Sequence, residues 1–439
     1  MAEVNKETME FLTERYLLVK ERIEAVIWEK NLIGAFHGFF HKTAGFLLKL
    51  VEEWDFVGSE AYGRASLQEL RERNHALYAP ALADTYEESF LNPAFAVKSL
   101  GETYGQLLSF LACEMFAAIP CVFERDLFGL TIRMELFVEI YNAFCYSWEE
   151  ERGLPKKEAV RDILYWFVSD YQDAACEQRI GEQLGVISGV ADSLVRESDL
   201  CDLRYLYRYG EYVTEEEERL AAYLNGLPEE EIRRIADTFT EGYRIGFEVT
   251  GKDLGKKKTA AVYYQAGFER LVRQAAINFE KLGLKTILFR SAASALNGKS
   301  LNKSGFYGHS CNRQFEYDHS EDAAIYLDKA YVNRRLDALK TSYEKYKEQA
   351  AVYGGPAVIE VFGEKPFAPV VKKENCRLNE KQQKLQAEYK TASGELVNRY
   401  IKGEERSFTI IAFPAPAVGE QFEAIFNETL KINTLDYTL

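Results

Sequence analysis

The sequence has none of the short signatures of nucleotide handling. GxGxxG and GxxxxGK[ST] are both absent, so neither a dinucleotide fingerprint nor a phosphate-cradling loop is supported. GxSxG is absent too, which removes the nucleophile elbow of the serine hydrolases. HExxH is missing, and its nearest relative, HGFFH at His37–His41, carries Gly38 where the general base would stand. Histidine is scarce, with five residues in 439, which limits the ways a metal can be held. Cysteine spacing is equally uninformative. The seven cysteines are scattered, odd in number and without a CxxC pair, and they read as reduced, buried thiols of a cytoplasmic protein. Positive charge is in deficit. Lys and Arg total 54 against 69 Asp and Glu, a net charge of -15, which repels nucleic acid and anionic membrane surfaces. No uninterrupted apolar run reaches the roughly 18 residues of a membrane span. SFLACEMFAAIPCVF, Ser109–Phe123, comes nearest. MAEVNKETMEFLTERY is charged from the start and lacks the apolar core of a signal peptide.

What is present is apolar periodicity. A 47% hydrophobic composition over this length suffices for more than one core. The first half is helical text. TMEFLTERYLLVKERIEAVIWEK places apolar residues three and four apart, predicting a helix with one buried stripe. GAFHGFFHKTAGFLLKLVEEW predicts a more central bundle helix. Ser66 with Glu69 three residues on marks a capped start. Asn92-Pro93 marks another, and Thr214 ahead of Glu215–Glu218 a third. No strand and no repeat period is read before residue 255.

Alternation begins after EVTGKDLGKKK. Strands are predicted at Thr259–Tyr264, Thr286–Phe289, Ala357–Phe362 and Phe408–Phe413. Helices are predicted at Gly267–Leu282, at Ser320–Tyr353 with Ser320-Glu321-Asp322 as its cap, at Leu378–Ile401 and from Gly419 to Leu430. A loop covers Ser291–Tyr317. The strand runs are continuously apolar and β-branched, as strands covered on both faces should be. The expected fold is α/β with a large N-terminal all-α region. A helical bundle over 1–213 is followed, across a boundary within 205–255, by an open, mainly parallel Rossmann-like sheet. That sheet has about four strands flanked by helices and occupies 214–439.

Open parallel sheets bind ligands at the carboxyl ends of their strands. The loops there place Gln265, Arg290, Glu364 and Lys365 as candidate substrate-cleft residues. Glu364 and Lys365 read more readily as a solvated turn, since loop charges are usually just exposed, and Lys256–Lys258 reads as a solvated loop. GFYGHSCNRQFEYDHSEDAA gathers His309, Cys311, Glu316, Asp318, His319, Glu321 and Asp322. Any two of these can ligate a metal if folded together, and His309 and His319 remain as possible cleft residues.

Four phrases carry a resemblance: TGKDLGKKKTAAVYYQAGFERLVRQAAINFEKLGLKTILFRSA, EYDHSEDAAIYLDKAYVNRRL, GGPAVIEVFGEKPFAPV and NRYIKGEERSFTIIAFPAPAVGEQFEAIFNETLKINTLDY. Over about 214–439 the chain resembles leucyl aminopeptidases of the aminopeptidase T / aminopeptidase S metallopeptidase family, in their long clostridial-type variant. The resemblance implies hydrolysis of the first peptide bond of peptide substrates in the cytoplasm. It also implies two divalent metal ions (zinc, cobalt or similar) held by a C-terminal domain, and a possible homodimer. The metal-binding segments of that domain have no counterpart here, so no catalytic residue and no metal ligand is carried over, and none of the ions is expected in this chain. On this reading the last helix leads into a missing C-terminal domain and exposes Phe422, Ile425, Phe426 and Leu430. The alternative is a non-catalytic helical plus Rossmann-like binding module, with that helix packed on the sheet. A third reading is a different hydrolase built on the His309–His319 loop.

Overall fold

The computed structural model describes residues 2–32, 34–150, 152–288, 290, 294–296 and 310–434, with side chains from residue 8 onward. Among the described residues, ten α-helices lie before residue 200: α1 Ala2–Val26, α2 Gly34–Val57, α3 Glu60–Arg64, α4 Leu67–Tyr78, α5 Pro93–Phe116, α6 Ile119–Glu124, α7 Leu127–Glu150, α8 Lys157–Asp170, α9 Gln172–Gln183 and α10 Val190–Glu197. Local chemistry sets several starts. Ser66 accepts from the Glu69 amide at the head of α4, and Asn92 from Ala94 at the head of α5, where Pro93 supplies a preset φ. Gly101, at φ +80°, interrupts α5.

The remaining elements are α11 Glu215–Gly226, α12 Glu229–Val249, β1 Thr259–Tyr263, α13 Glu269–Lys281, β2 Lys285–Ile287, α14 Arg313–Asp318, α15 Lys329–Lys345, α16 Lys347–Ala351, β3 Tyr353–Phe362, α17 Glu380–Tyr400, β4 Thr409–Pro414 and α18 Phe422–Asn433. Thr214 and Glu217 close a reciprocal capping box on α11, and Asn379 and Gln382 one on α17. The sheet is parallel throughout, in the order β2-β1-β3-β4. The α/β architecture expected from the sequence is present: a large helical region and an open four-stranded parallel sheet flanked by helices. Two details of that expectation change. Ser320 does not cap a long helix, for its hydroxyl donates to the Tyr317 carbonyl, and Asp328 caps α15 through the Tyr331 amide. Within Lys256–Lys258, Lys257 is buried rather than solvated, with Nζ on the Ala351 carbonyl and on Glu405.

The expected open face of α18 is also corrected. Phe422, Phe426 and Leu430 are buried, and Ile425 is half-buried. Phe426 stacks on Phe413 of β4 at 4.7 Å, and Tyr223 of α11 meets both Phe422 and Phe426 edge-on. One stretch, Tyr86–Glu124, is apolar enough by length and composition to cross a bilayer, yet 89% of its apolar window is buried within the protein. It is the centre of the helical core.

Strand order makes the layers. β1 lies between β2 and β3, so the chain reverses its direction of travel across the sheet after β2. α13 packs on one face with α10, α11, α12 and α18. α15 and α17 pack on the other, as right-handed crossovers in opposite directions require. Both faces borrow from the helical half. Ala65, Leu70 and the Ala191–Val213 segment join the first face, while Cys176, Ile180 and Leu184 of α9 join the second. In return Phe315, Tyr326, Tyr331, Val332, Leu378 and Leu385 enter the bundle core. The cores therefore do not part at residue 213.

β3 is a central strand that contains a proline. A β-bulge solves the conflict, since the β1–β3 register shifts between Thr259↔Tyr353 and Ala261↔Pro356, and a bulge is where a strand tolerates a missing amide donor. Gly355 takes φ +113°, and a Cβ there would stand 1.9 Å from the Ser407 carbonyl oxygen. Gly355→Ala should cost about 2–4 kcal/mol, because it combines an unfavourable φ with a backbone clash. A fall in the urea midpoint at unchanged slope is the expected readout.

Candidate functional site

The topology points to the carboxyl edge of the sheet, next to the β1/β3 switch. A cavity of about 480 Å³ lies there, between that edge and the helices of the first half. Its floor is Glu211 and Arg290. Arg290 follows β2 and donates Nε and Nη2 to the two carboxylate oxygens of Glu211, at 2.8 and 2.6 Å. Its Nη1 donates to the Tyr264 carbonyl at 2.7 Å, and its guanidinium lies against the rings of Tyr209 and Tyr264. Burial alone would pull this guanidinium's pKa down, but Glu211 holds it well above the ordinary value. The pair is a fixed, fully desolvated part of the wall.

The opposite wall is the α6–α7 junction. Arg125 adopts a left-handed backbone, φ +56°, and lays its guanidinium 3.8 Å from the centre of the Trp54 ring. That turn sets Glu124 and Asp126 on either side of it, both on the cavity. A non-glycine residue held in this region stores strain of order 1 kcal/mol, which surrounding contacts must sustain. Arg133, one turn into α7, also lines the cavity. It is 5% exposed, donates Nη1 to the Gly129 carbonyl and lies 3.9 Å from Glu114 Oε2. Its Nε–H has no acceptor. α9 contributes Arg179 and Glu182. Arg179 reaches Cys176 Sγ at 3.8 Å, and Glu182 accepts from Gln178 at 2.6 Å.

The electrostatics follow from this inventory. Four carboxylates, Glu124, Asp126, Glu182 and Glu211, face three guanidiniums, Arg133, Arg179 and Arg290. Glu211 and Arg290 neutralise each other. Glu124, Asp126 and Glu182 have no ion-pair partner among the described residues. Glu124 is solvent-exposed at the mouth of this half-open cavity. Burial, reinforced by Glu182, Asp126 and Glu211, pushes its carboxyl up to about 8. Burial, with a contribution from Asp126, pushes Glu182 up to about 7. Carboxyls that titrate near neutrality inside a cavity are the pattern of a site that receives positive charge or moves protons.

Of the residues expected to form a cleft, Arg290 lines this cavity. Gln265 is buried just past β1 and does not line it. Glu364 and Lys365 are exposed on the far side of the switch point, where Lys365 pairs with Glu216 at 2.8 Å. His309 lies outside the described residues. His319 is no cleft residue, being 1% exposed in the helical core, where it bonds Asp322 and the Leu91 carbonyl. His37 and His41 stack at 5.7 Å on α2. Glu124, Asp126, Glu182, Arg133 and Arg179 were not anticipated. The one local signal is the charged triplet Glu124-Arg125-Asp126, set inside the most apolar stretch of the chain.

Arg290→Leu should destabilise the protein by about 3–5 kcal/mol, since it strands the buried Glu211 charge. The double variant with Glu211→Leu should recover most of that loss in urea titrations. Glu124 gives a pH signature. Its folded pKa lies above its unfolded value, so the stability it contributes is complete below about pH 4.3 and is lost as pH rises through about 8. Glu124→Gln should therefore raise stability relative to wild type at pH 8.5 by about 1 kcal/mol, discounted for solvent in the cavity, with the gap closing toward pH 5. Thermal melts across this range test it. Comparison with known proteins adds no relative, for no known family, no curated protein and no solved structure matches the chain.

Proposed function

We propose that the protein binds the ammonium-bearing end of a short peptide in this cavity, as the substrate-selecting part of a metal-dependent aminopeptidase. The observation that carries the reading is the set of three carboxylates, Glu124, Asp126 and Glu182, lining a half-open cavity without an ion-pair partner among the described residues. An ammonium group placed there offsets their mutual repulsion. Arg179, on the cavity wall, offers donors for a peptide carboxylate or carbonyl. The cavity volume falls within the roughly 300–1,000 Å³ of small-molecule sites. The aminopeptidase resemblance over about 214–439 supports the same substrate class.

The chemistry of that family needs two divalent ions about 3.5–4 Å apart, open to substrate. The residues here do not fit such a centre. Among the described residues, the one group of three potential ligands whose donor atoms converge is Cys113, His319 and Asp322, all buried. The cavity carboxylates do not converge that closely. No hydrolytic step is assigned to this chain, and the covered face of α18 favours a second reading, a binding module without catalysis of its own.

Isothermal titration with leucinamide, leucylglycine and their N-acetylated forms tests the proposal. Free-amine ligands should bind and the acetylated forms should not. Glu124→Gln and Glu182→Gln should each weaken binding about tenfold or more, equivalent to about 1.4 kcal/mol. Affinity should climb between pH 6 and 8, as the two carboxyls ionise, and fall again as the ligand amine loses its proton. Equal binding of acetylated and free-amine ligands would overturn the reading. Leucyl-amide hydrolysis with added zinc or cobalt separates the two readings, the first expecting turnover only with the metal-binding domain supplied.

A further inference from the structure

The sheet is covered unevenly. Side chains alternate between its faces along each strand, and on β4 Ile411 and Phe413 enter the core shared with α12, α13 and α18. Phe408, Ile410 and Ala412 lie on the opposite face. There the core under α15 and α17 takes in residues of β1, β2 and the start of β3, and none of β4. Phe408 is 63% exposed and Ile410 51%. The β3–β4 register sets Val358 beside Ile410, Glu360 beside Ala412 and Phe362 beside Pro414 on that face, and Phe362 is 43% exposed. Three large apolar side chains of two adjacent parallel strands thus meet solvent, where such strands are normally covered on both faces.

β4 is also an end strand of the sheet. The Ser407 amide donates to the Gly354 carbonyl and the Ala415 amide to the Phe362 carbonyl. Odd-numbered residues of β4 therefore aim their backbone groups at β3, and even-numbered ones aim theirs outward. The outward carbonyl of Ala412 accepts from Asn433 Nδ2 and keeps a second lone pair. The Ile410 amide and carbonyl face away from the ladder with no strand beyond them. Thr409–Pro414 carries no charged residue, the usual guard of an exposed edge. An unguarded edge with an apolar face is a surface that recognises another strand.

We propose that this edge joins two copies of the chain about a twofold axis at Ile410, with the two β4 strands antiparallel in one continuous sheet. A second copy fits because the patch is complementary to itself, as an isologous contact requires. Pairing about Ile410 sets Phe408 of each copy opposite Ala412 of the other, large against small, and brings both Ile410 side chains together on the same face. The charges agree. Arg406 stands half-buried at one end of the patch, beside Tyr343 and Tyr353, and Glu360 stands exposed at the other. Neither has an ion-pair partner among the described residues. The twofold puts Arg406 of one copy opposite Pro414 of the other, about 12 Å from Glu360 between Cα atoms by ordinary strand spacing and rise. Extended arginine and glutamate side chains span that distance, and the contact is made twice. The interface is at the end of the sheet away from β2 and Arg290, so it does not depend on the cavity.

Sedimentation velocity of the full chain across the micromolar range should show a monomer–dimer equilibrium. Ile410→Lys should weaken the dimer about tenfold or more. Ile410→Pro should do the same, because it removes only an outward amide, which an edge strand tolerates losing. Arg406→Glu and Glu360→Arg should each weaken the dimer, and the two changes together should restore it. Trp166→Lys, at an exposed aromatic of α8, should leave it unchanged. Should the β4 variants fail to fold, the wild-type chain still decides the matter: amides of the 406–415 segment should gain protection from hydrogen exchange as protein concentration rises. A chain that stays monomeric, with exchange in that segment independent of concentration, overturns the proposal and leaves the edge to a strand of another protein. A dimer that survives both Ile410 variants overturns it as well.

Discussion

A parallel sheet tolerates water on neither face, and this protein has four strands to cover with crossover helices too few for the task. Among the described residues, the connections between strands cover the faces with α13 on one side and α15, the short α16 and α17 on the other. The deficit is met from the first half of the chain. α9 closes one face and the Ala191–Val213 segment the other, while α14, α15 and α17 repay the contact by completing the helical core. The interleaving means that neither half has a self-contained apolar interior. It also decides where a cavity can exist. Helices drawn across the sheet for burial cannot fill the space beyond the strand ends, and the gap left there is the cavity.

The charges in that gap make sense only against this background. Side chains on α6, α7 and α9 that would be solvated on an isolated bundle are crowded together when the sheet edge arrives. Glu211 finds Arg290 and is neutralised in a bidentate pair, so desolvation is offset by two charge-assisted hydrogen bonds. Glu124 and Glu182 find no such partner, and burial drives their carboxyls toward neutrality. Folding alone does not select for such residues, since apolar substitutes of similar volume would be less costly to bury. Their presence, beside a turn held in a left-handed conformation at Arg125, is the signature of a site retained at the expense of stability.

Much of the fold was legible from local sequence. Caps at Ser66, Asn92 and Thr214 were visible because a capping side chain acts on amides two or three residues away. The four strands were visible as short apolar β-branched runs. What failed was each inference that depended on distant chain. Ser320-Glu321-Asp322 has the composition of a helix start, yet Glu321 is drawn to the Leu378 amide and Asp322 to His319. Phe422, Phe426 and Leu430 read as an open stripe because their cover, Phe413 and Tyr223, comes from separate elements. The site was legible in one residue, Arg290, because strand-end positions are fixed by topology. Its partners are separated by up to 166 residues, from Glu124 to Arg290, and in helical text a glutamate of the interior looks like a glutamate of the surface.

The two constellations differ in a way that sorts their roles. Around the cavity, carboxylates stand apart, converge on no common point and border open space, which suits a ligand that arrives and leaves. In the core, Cys113, His319 and Asp322 are buried within 4.8 Å of one another and already contact each other. The first arrangement crowds like charges and so raises the energy of the protein. The second is closed on itself, with His319 bonded to Asp322 and to the Leu91 carbonyl. Both follow from chain folded around an undersized sheet: one gap is left lined with charge, and one crossing is held by polar bonds rather than hydrophobic contact.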